Sequence, residues 1–221
     1  MSTSEIVEAT VRAMADTAIA KEDYFCELDA VSGDGDFGFS LARGFEVVLE
    51  NWDDLDRDSD ATFLRRVATI ITSRTGGTSG PIWGTGFLCA AGALAKEPES
   101  GRGTAVAAAA LRASITGIME RGRADVGDKT LLDALVPALE ALESAAAENA
   151  SLQQTVQRVA ASARAGAEAT KDLQARRGRA SYTGERSIGN IDPGATAIAT
   201  MLEELATRVA GSDVRSSAST T

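Results

Sequence analysis

The sequence predicts an all-α protein, and three observations support this. Apolar residues recur at helical spacing in one segment after another. Alanine, the best helix former, comes in runs at 107–110 and 145–147. No stretch alternates apolar and polar residues as a half-buried strand would. Seven or eight helices account for the pattern. The chain has 221 residues, 44% of them apolar, and no composition break or linker divides it, so one large domain is expected.

Ser4 is a plausible cap for a first helix with Val7, Val11, Met14 and Ala18 on one face. A short second helical piece ends near Leu28. After a glycine-rich turn, helix resumes at about Ser40, with Leu41, Phe45, Val48 and Leu49 in register. Residues 51–60 form an acidic connection. Phe63, Leu64, Val67, Ile70 and Ile71 then make a strongly amphipathic helix. A second glycine-rich turn, Thr75-Gly76-Gly77-Thr78-Ser79-Gly80-Pro81, leads into an alanine-rich helix over 86–95. A turn at 100–103 and a cap at Thr104 start the next helix, which reaches Arg121. Residues 122–127 break the pattern. Asp128-Lys129-Thr130 then opens a helix with Leu131, Leu132, Leu135, Leu139 and Leu142, in which Pro137 predicts a kink. A long helix covers 152–173. Residues 177–194 have no period and are rich in Gly, Arg and Ser, as a functional loop would be. A last helix follows Asp192-Pro193, with proline in its first turn. The domain is expected to span 1–210, and the small polar residues 211–221 to form a disordered tail.

The composition excludes several kinds of chemistry. There is no histidine, hence no Ser-His-Asp triad, Cys-His pair, histidine metal site or phosphohistidine. The net charge of −10 argues against nonspecific nucleic-acid binding, which needs a basic footprint. The two cysteines, Cys26 and Cys89, have no metal-ligand spacing and suit reduced thiols in the cytoplasm. The N-terminus lacks a signal-peptide pattern, and no apolar run reaches the length of a membrane span.

The most informative stretch is Gly33-Asp34-Gly35-Asp36-Phe37-Gly38, with Asp29 just before it. Three carboxylates this close repel one another unless cations sit among them. Mg²⁺ binds through a few carboxylates plus substrate phosphates, so the loop suggests a metal-bridged phosphate site. Other motifs fit less well. Gly33-x-Gly35-x-x-Gly38 matches the dinucleotide fingerprint in letters, but no strand precedes it and two carboxylates occupy the turn. Counted as a calcium loop from Asp34, the sixth and twelfth positions are Phe39 and Phe45, where Gly and Glu are required. The 122–130 segment is a near miss to a P-loop. An acidic residue in a helix's first turn accounts for Asp128, while the glycine break remains a candidate ligand contact. The Gly76-to-Ser79 turn runs into a helix, so its free N–H groups and hydroxyls could face an anion. Arg177, Arg179 and Arg186 are candidate phosphate contacts in otherwise acidic surroundings.

Taken in order, these stretches resemble the L subunit, or L domain, of dihydroxyacetone-type kinases. The matching residues are Leu28-Asp29 with Gly33-Asp34-Gly35-Asp36, then Gly76-Gly77-Thr78-Ser79-Gly80-Pro81. Next come Gly127-Asp128-Lys129-Thr130 with Asp133-Ala134, and Gly178-Arg179-Ala180-Ser181-Tyr182 with Gly184-Glu185-Arg186-Ser187 and Gly189. Asp192-Pro193-Gly194-Ala195 ends the series.

The resemblance implies a single barrel of about eight antiparallel helices with ADP or ATP at one end. It implies two Mg²⁺ ions that join the phosphates to Asp29, Asp34 and Asp36. Nucleotide contacts are implied at Phe37, Gly38, Phe39 and Ser40, at Gly77, Thr78 and Ser79, and at Gly122, Leu131, Arg179, Asp192, Pro193 and Gly194. Arg179 also takes the catalytic role of stabilising charge on the transferred phosphoryl group. No general base is assigned. A separate K subunit would hold the ketose, dihydroxyacetone or a relative such as erythrulose. A phosphotransferase-system M subunit is the donor in one branch and ATP in the other; the motifs leave both open. Some relatives hold a lipid in the barrel interior. Two positions depart from the family, Phe37 and Asn190, where it commonly has histidine. The alternatives are a non-catalytic nucleotide- or lipid-binding subunit of the same fold and the nucleotide domain of fatty-acid kinases.

Overall fold

The computed structural model describes residues 2–96 and 103–218, with side chains as far as residue 212. Most of the turn expected at 100–103 lies outside the described residues. Nine α-helices are present among those described: α1 (Thr3–Ala20), α2 (Glu22–Ala30), α3 (Phe37–Glu50), α4 (Asp60–Arg74), α5 (Ser79–Leu94), α6 (Thr104–Gly122), α7 (Leu132–Ala147), α8 (Leu152–Ala169) and α9 (Pro193–Ala218). Short 3₁₀ turns occupy Trp52–Asp54, Thr170–Asp172 and Arg179–Ser187. No strand occurs among the described residues.

Several boundaries differ from the sequence reading. α1 is capped by Ser2, not Ser4. Ser2 Oγ accepts from the Glu5 N–H at 3.2 Å, and the Glu5 carboxylate accepts from the Ser2 N–H at 2.6 Å, a reciprocal box. Gly103, not Thr104, precedes α6 as its cap. α5 starts at Ser79 because Gly80, Gly84 and Gly86 are helical residues buried at helix contacts rather than breakers. Pro137 lies inside α7, as its position in the sequence pattern placed it. α9 continues past Gly211 to Ala218, where the sequence reading placed a disordered tail; residues 219–221 lie outside the described residues. One glycine in a helix costs only about 1 kcal/mol, which does not end it.

The helices close into a ring. Each of α3 to α8 packs on its successor, and α1 completes the circle between α9 and α3, giving eight wall members. α2 is not a member of the wall; it packs on α3 and, less extensively, on α9. Neighbours run antiparallel, as the seam contacts record. Gly84, near the start of α5, faces Thr72 and the Ala68 carbonyl near the end of α4, so a side chain at 84 would collide with Thr72. Gly166, near the end of α8, lies on the Asp133 carbonyl at the start of α7. That carbonyl has lost its helical donor because Pro137 has no N–H.

Phe25, Phe45 and Phe63, with Leu41, Val48 and Ile71, are among the large fully buried residues of the core. The ring's inside is not completely filled. A cavity of about 480 Å³ lies among Val11, Trp83, Phe87, Leu135, Ile198 and Met201. Outside, ion pairs cross the seams, including Arg164 to Glu203 at 2.6 Å and Arg208 to Asp16 at 2.8 Å. Such exposed pairs are worth about 0–1 kcal/mol each. Apolar burial along the seams is therefore the main source of stability.

Candidate functional site

The acidic loop owes its shape to Asp29. This residue sits in the last turn of α2, and its Oδ2 accepts from the Gly35 N–H at 2.9 Å and the Phe37 N–H at 3.4 Å. Its own carbonyl takes the Ser32 and Gly33 N–H groups. The chain doubles back so tightly that Gly33 touches the Asp29 carboxylate, where any Cβ would clash. Gly35 turns the backbone at φ +75°. Carboxylate oxygens of Asp29, Asp34 and Asp36 consequently lie within 4.8 Å of one another. Arg179, the first residue of a 3₁₀ turn, contacts the Asp34 carboxylate and lies 3.6 Å from Asp36 Oδ2.

α3 begins at Phe37, so Phe37, Gly38, Phe39 and Ser40 form its first turn. Its N-cap residue, Asp36, makes no side-chain cap bond, and the Asp29 carboxylate takes the Phe37 N–H instead. Gly38 is pressed against the Glu22 carbonyl and Cys26 backbone of α2, a contact that admits no side chain. The Phe39 N–H donates to Cys26 Sγ at 3.2 Å, and the exposed Phe39 ring lies 5.2 Å from the Arg43 guanidinium. The Phe37 ring turns inward onto Phe25, with centroids 6.2 Å apart, so Phe37 presents its backbone to the acidic loop and its side chain to the core.

α5 begins beside it. Gly76 abuts Ser40 Oγ, Gly77 turns at φ +61°, and Thr78 precedes the helix without a side-chain cap bond. Asp29 and Cys26 take the Phe37 and Phe39 N–H groups, which leaves that of Gly38 at the start of α3; with the first N–H groups of α5 in the adjacent turn it makes a candidate anion site. Gly122 ends α6 against the Ile82 side chain of α5.

The 123–131 segment is not the helix start that the sequence suggested for Asp128. α7 opens at Leu132, and Asp133 braces the turn before it by accepting from the Gly127 N–H at 2.6 Å and the Thr130 N–H at 2.7 Å. Asp133, not Asp128, is the acidic residue of the first turn. Buried Asp128 instead accepts from the Asp125 N–H at 3.0 Å and pairs with Arg177 Nε at 3.2 Å.

Pro193 is the first residue of α9, and Gly194 packs on Leu131. Asp192 caps α9 through the Ala195 N–H at 2.7 Å. Burial pushes the Asp192 carboxyl up to about 7, with Asp133 adding repulsion; the Ala195 and Gly194 N–H groups and Lys129 oppose the shift.

These contacts form one circuit around one end of the barrel. The acidic loop touches Arg179, Ser40 touches the Gly76 turn, Gly122 touches α5, and Leu131 touches Gly194. The donor set fits a hard divalent cation, since it is all carboxylate, partly open and tightly spaced. Mg²⁺ takes oxygens at about 2.1 Å, which a cluster of this spread can supply together with phosphate and water.

A family model for the DAK2 domain matches residues 31–207. The chain belongs to the DAK2 domain family. This DAK2 domain is 36% identical over 207 residues to the Escherichia coli (strain K12) protein named PEP-dependent dihydroxyacetone kinase, ADP-binding subunit DhaL, covering 93% of this chain and 97% of that one. It is 34% identical over 215 residues to the L-erythrulose kinase of Pectobacterium atrosepticum, covering 96% of this chain but 36% of that one. The crystal structure of the dihydroxyacetone kinase from C. freundii in complex with AMP-PNP and Mg²⁺ superposes with a TM-score of 0.70 at 29% identity, over 93% of this chain and 33% of that one. The domain thus spans nearly all of the E. coli subunit and about a third of the two longer kinases.

Sequence reasoning missed the braces of the DAK2 domain's rim: Asp133, the Asp128–Arg177 pair and a buried Lys129. For Asp133 a signal existed, an acidic residue just inside a helix start. Lys129 stood in a helix opening, in a near miss to a phosphate loop and in a family-matching stretch, none of which marks it as a buried brace. No helix among the described residues is long and apolar enough to cross a membrane.

Proposed function

We propose that this chain is the nucleotide-binding subunit of a dihydroxyacetone-type kinase, transferring a phosphoryl group to a small ketose held by a separate K subunit. The observation that carries the reading is the convergence of Asp29, Asp34 and Asp36 with Arg179 at a rim that also presents the starts of α3 and α5. Asp29, Asp34 and Asp36 would hold two Mg²⁺ ions, which when bound neutralise charge on the phosphate oxygens of ADP or ATP. The Gly38 N–H, the Ser40 hydroxyl and the N–H groups at Gly77, Thr78 and Ser79 orient the phosphates beside the Phe39 ring, the Phe39 and Ser40 N–H groups being taken by Cys26 Sγ and the Asp36 carbonyl. Gly122, Leu131, Asp192, Pro193 and Gly194 wall the nucleotide on the far side. Arg179, released from Asp34, stabilises charge on the transferred group; catalysis here is positioning and electrostatics. No general base is assigned in this chain; activation of the acceptor is assigned to the partner.

Val31, Phe39, Val126, Tyr182 and Ile188 support a partner at this end. They are exposed, Tyr182 at 90%, and all belong to the rim's turns. A K-type subunit would cover them. In the branch where nucleotide stays bound, a phosphotransferase-system M subunit would recharge ADP at the same mouth. The free thiols at Cys26 and Cys89 support a cytoplasmic setting. The interior cavity, about 480 Å³ and mostly apolar, supports a lipid chain as a separate occupant, which native mass spectrometry of freshly purified protein would register.

Calorimetry with ADP or AMP-PNP, with and without Mg²⁺, tests the binding step, and a coupled assay with a K-type subunit tests the transfer. Mg²⁺-dependent binding together with ketose phosphorylation is the expected result. Binding without phosphorylation of any short-chain ketose by any donor selects the second reading, a non-catalytic binding subunit, which the inward turn of Phe37 favours.

A further inference from the structure

Lys129 carries a feature that phosphate binding does not explain. It is 4% exposed, and its backbone is left-handed at φ +62°, a region that glycine or asparagine adopts more readily. Its ammonium donates to three backbone carbonyls: Thr170 at 2.6 Å, Leu173 at 3.1 Å and Asn190 at 2.5 Å. Three donors meet three acceptors, so the buried charge is fully hydrogen-bonded. Burial lowers the ammonium's pKa from its ordinary value, while Asp192, Asp133 and Asp172 raise it.

The identity of those carbonyls is the informative part. Leu173 and Asn190 are the two feet of the segment that bears Arg179. The Gly189 N–H also crosses to the Lys171 carbonyl at 2.7 Å, so the feet are already close together. Thr170 binds back to the rim, since its Oγ1 accepts from the Asp192 N–H at 2.8 Å. Lys129 itself lies between Gly127 and Leu131. A single ammonium therefore joins the turn before α7, the Arg179 segment and the start of α9. Asp128 adds a parallel tie: its carbonyl accepts from the Arg176 N–H at 3.0 Å, and its carboxylate pairs with Arg177.

We infer that Lys129 is a positioning residue that fixes the base of the Arg179 segment and so aims the Arg179 guanidinium at the acidic trio. The inference rests on the proposed role of Arg179. It also separates Lys129 from the P-loop lysine it resembles in sequence: its donors point to backbone carbonyls rather than to a phosphate.

The test compares wild type, Lys129→Met and Lys129→Arg by amide hydrogen exchange without nucleotide, by calorimetry with Mg²⁺ and ADP, and by turnover with a K-type subunit. Lys129→Met keeps the aliphatic stem and removes the donors. Amides over 174–190 should exchange at least tenfold faster in this variant, with those of α4 and α5 unchanged. At saturating nucleotide, kcat should fall about tenfold or more while KM for the ketose stays within about threefold. Lys129→Arg, which keeps charge and donors, should recover part of the loss. Wild-type exchange and kcat in a folded Lys129→Met protein would overturn the inference, as would faster exchange spread evenly over the whole barrel. If Lys129→Met does not fold, the wild type still decides. Amides at 127–130, 170–173 and 189–192 should open as one unit, and independent opening refutes the pin. Failure of wild type to bind Mg²⁺ and ADP would instead refute the proposed function and leave the exchange result standing.

Discussion

Replacing Asp34 by asparagine separates the electrostatics of the acidic loop from its architecture. Asp34 makes no hydrogen bond that shapes the loop, which Asp29 holds instead. With ligand oxygens of the trio 4.8 Å apart at most, two full charges repel by about 0.9 kcal/mol in water and about 3.5 kcal/mol at an effective dielectric near 20. The Asp34 and Asp36 side chains are 39% and 53% exposed, which selects the lower figure. Removing Asp34's charge relieves two such pairs, about 2 kcal/mol, and forfeits an exposed contact with Arg179 worth about 0–1 kcal/mol. The variant without ligand should therefore melt about 2–8 °C above the wild-type temperature. Ligand reverses the order. At a hundred times its Kd, Mg²⁺-nucleotide adds about 2.7 kcal/mol to the wild type, a rise of roughly 5–10 °C for a domain of this size. Asp34→Asn should lose nearly all of that rise. A thermal-shift titration with ADP, with and without Mg²⁺, reads both quantities. A variant that keeps the wild-type ligand shift refutes the metal assignment. One that melts far below wild type without ligand refutes the repulsion argument.

Three further outcomes are expected. Phe37→His removes an apolar ring from beside Phe25 and should lower stability by about 1–2 kcal/mol in urea melts, while Mg²⁺-nucleotide affinity stays within about threefold because only the backbone of Phe37 faces the site. Gly166→Ala drives a methyl into the Asp133 carbonyl and should cost about 1–3 kcal/mol, read as a lower urea midpoint at unchanged m. The pH dependence follows Asp192, whose carboxyl is raised from 3.8 to about 7. Between these values the folded state holds more protons than the unfolded one, so this group's contribution to stability falls as pH rises from about 4 to 7 and then levels. Urea midpoints at pH 5 and 8 should differ in that direction for wild type and less for Asp192→Asn.

Much of this was legible in the sequence, because helical period and acidic-loop spacing are local signals. Phe63 to Ile71 marked α4, and Gly33 to Gly38 with Asp29 marked the trio. What escaped depends on partners distant in the chain. Gly80, Gly84 and Gly86 looked like a helix boundary, yet Gly84 is a seam contact for α4, which no local rule reveals. Asp128-Lys129-Thr130 had the composition of a helix start, but its backbone is set by Arg177, Thr170, Leu173 and Asn190, up to about sixty residues away. Phe37 was placed at the site by its neighbours, and only packing shows that its ring faces the core. The cap at Ser2 was missed in favour of Ser4, although Ser2 has its box partner Glu5 three residues on.

Because the ring has eight members that alternate in direction, every second chain reversal returns to the same lip. Stretches as remote as residues 29 and 194 meet there without any long excursion of the backbone. The lip is assembled from short reversals, the cylinder from long staves, and few positions serve both. A substitution in one reversal therefore bears on the lip alone, while the helix-to-helix seams of the cylinder stay as they are.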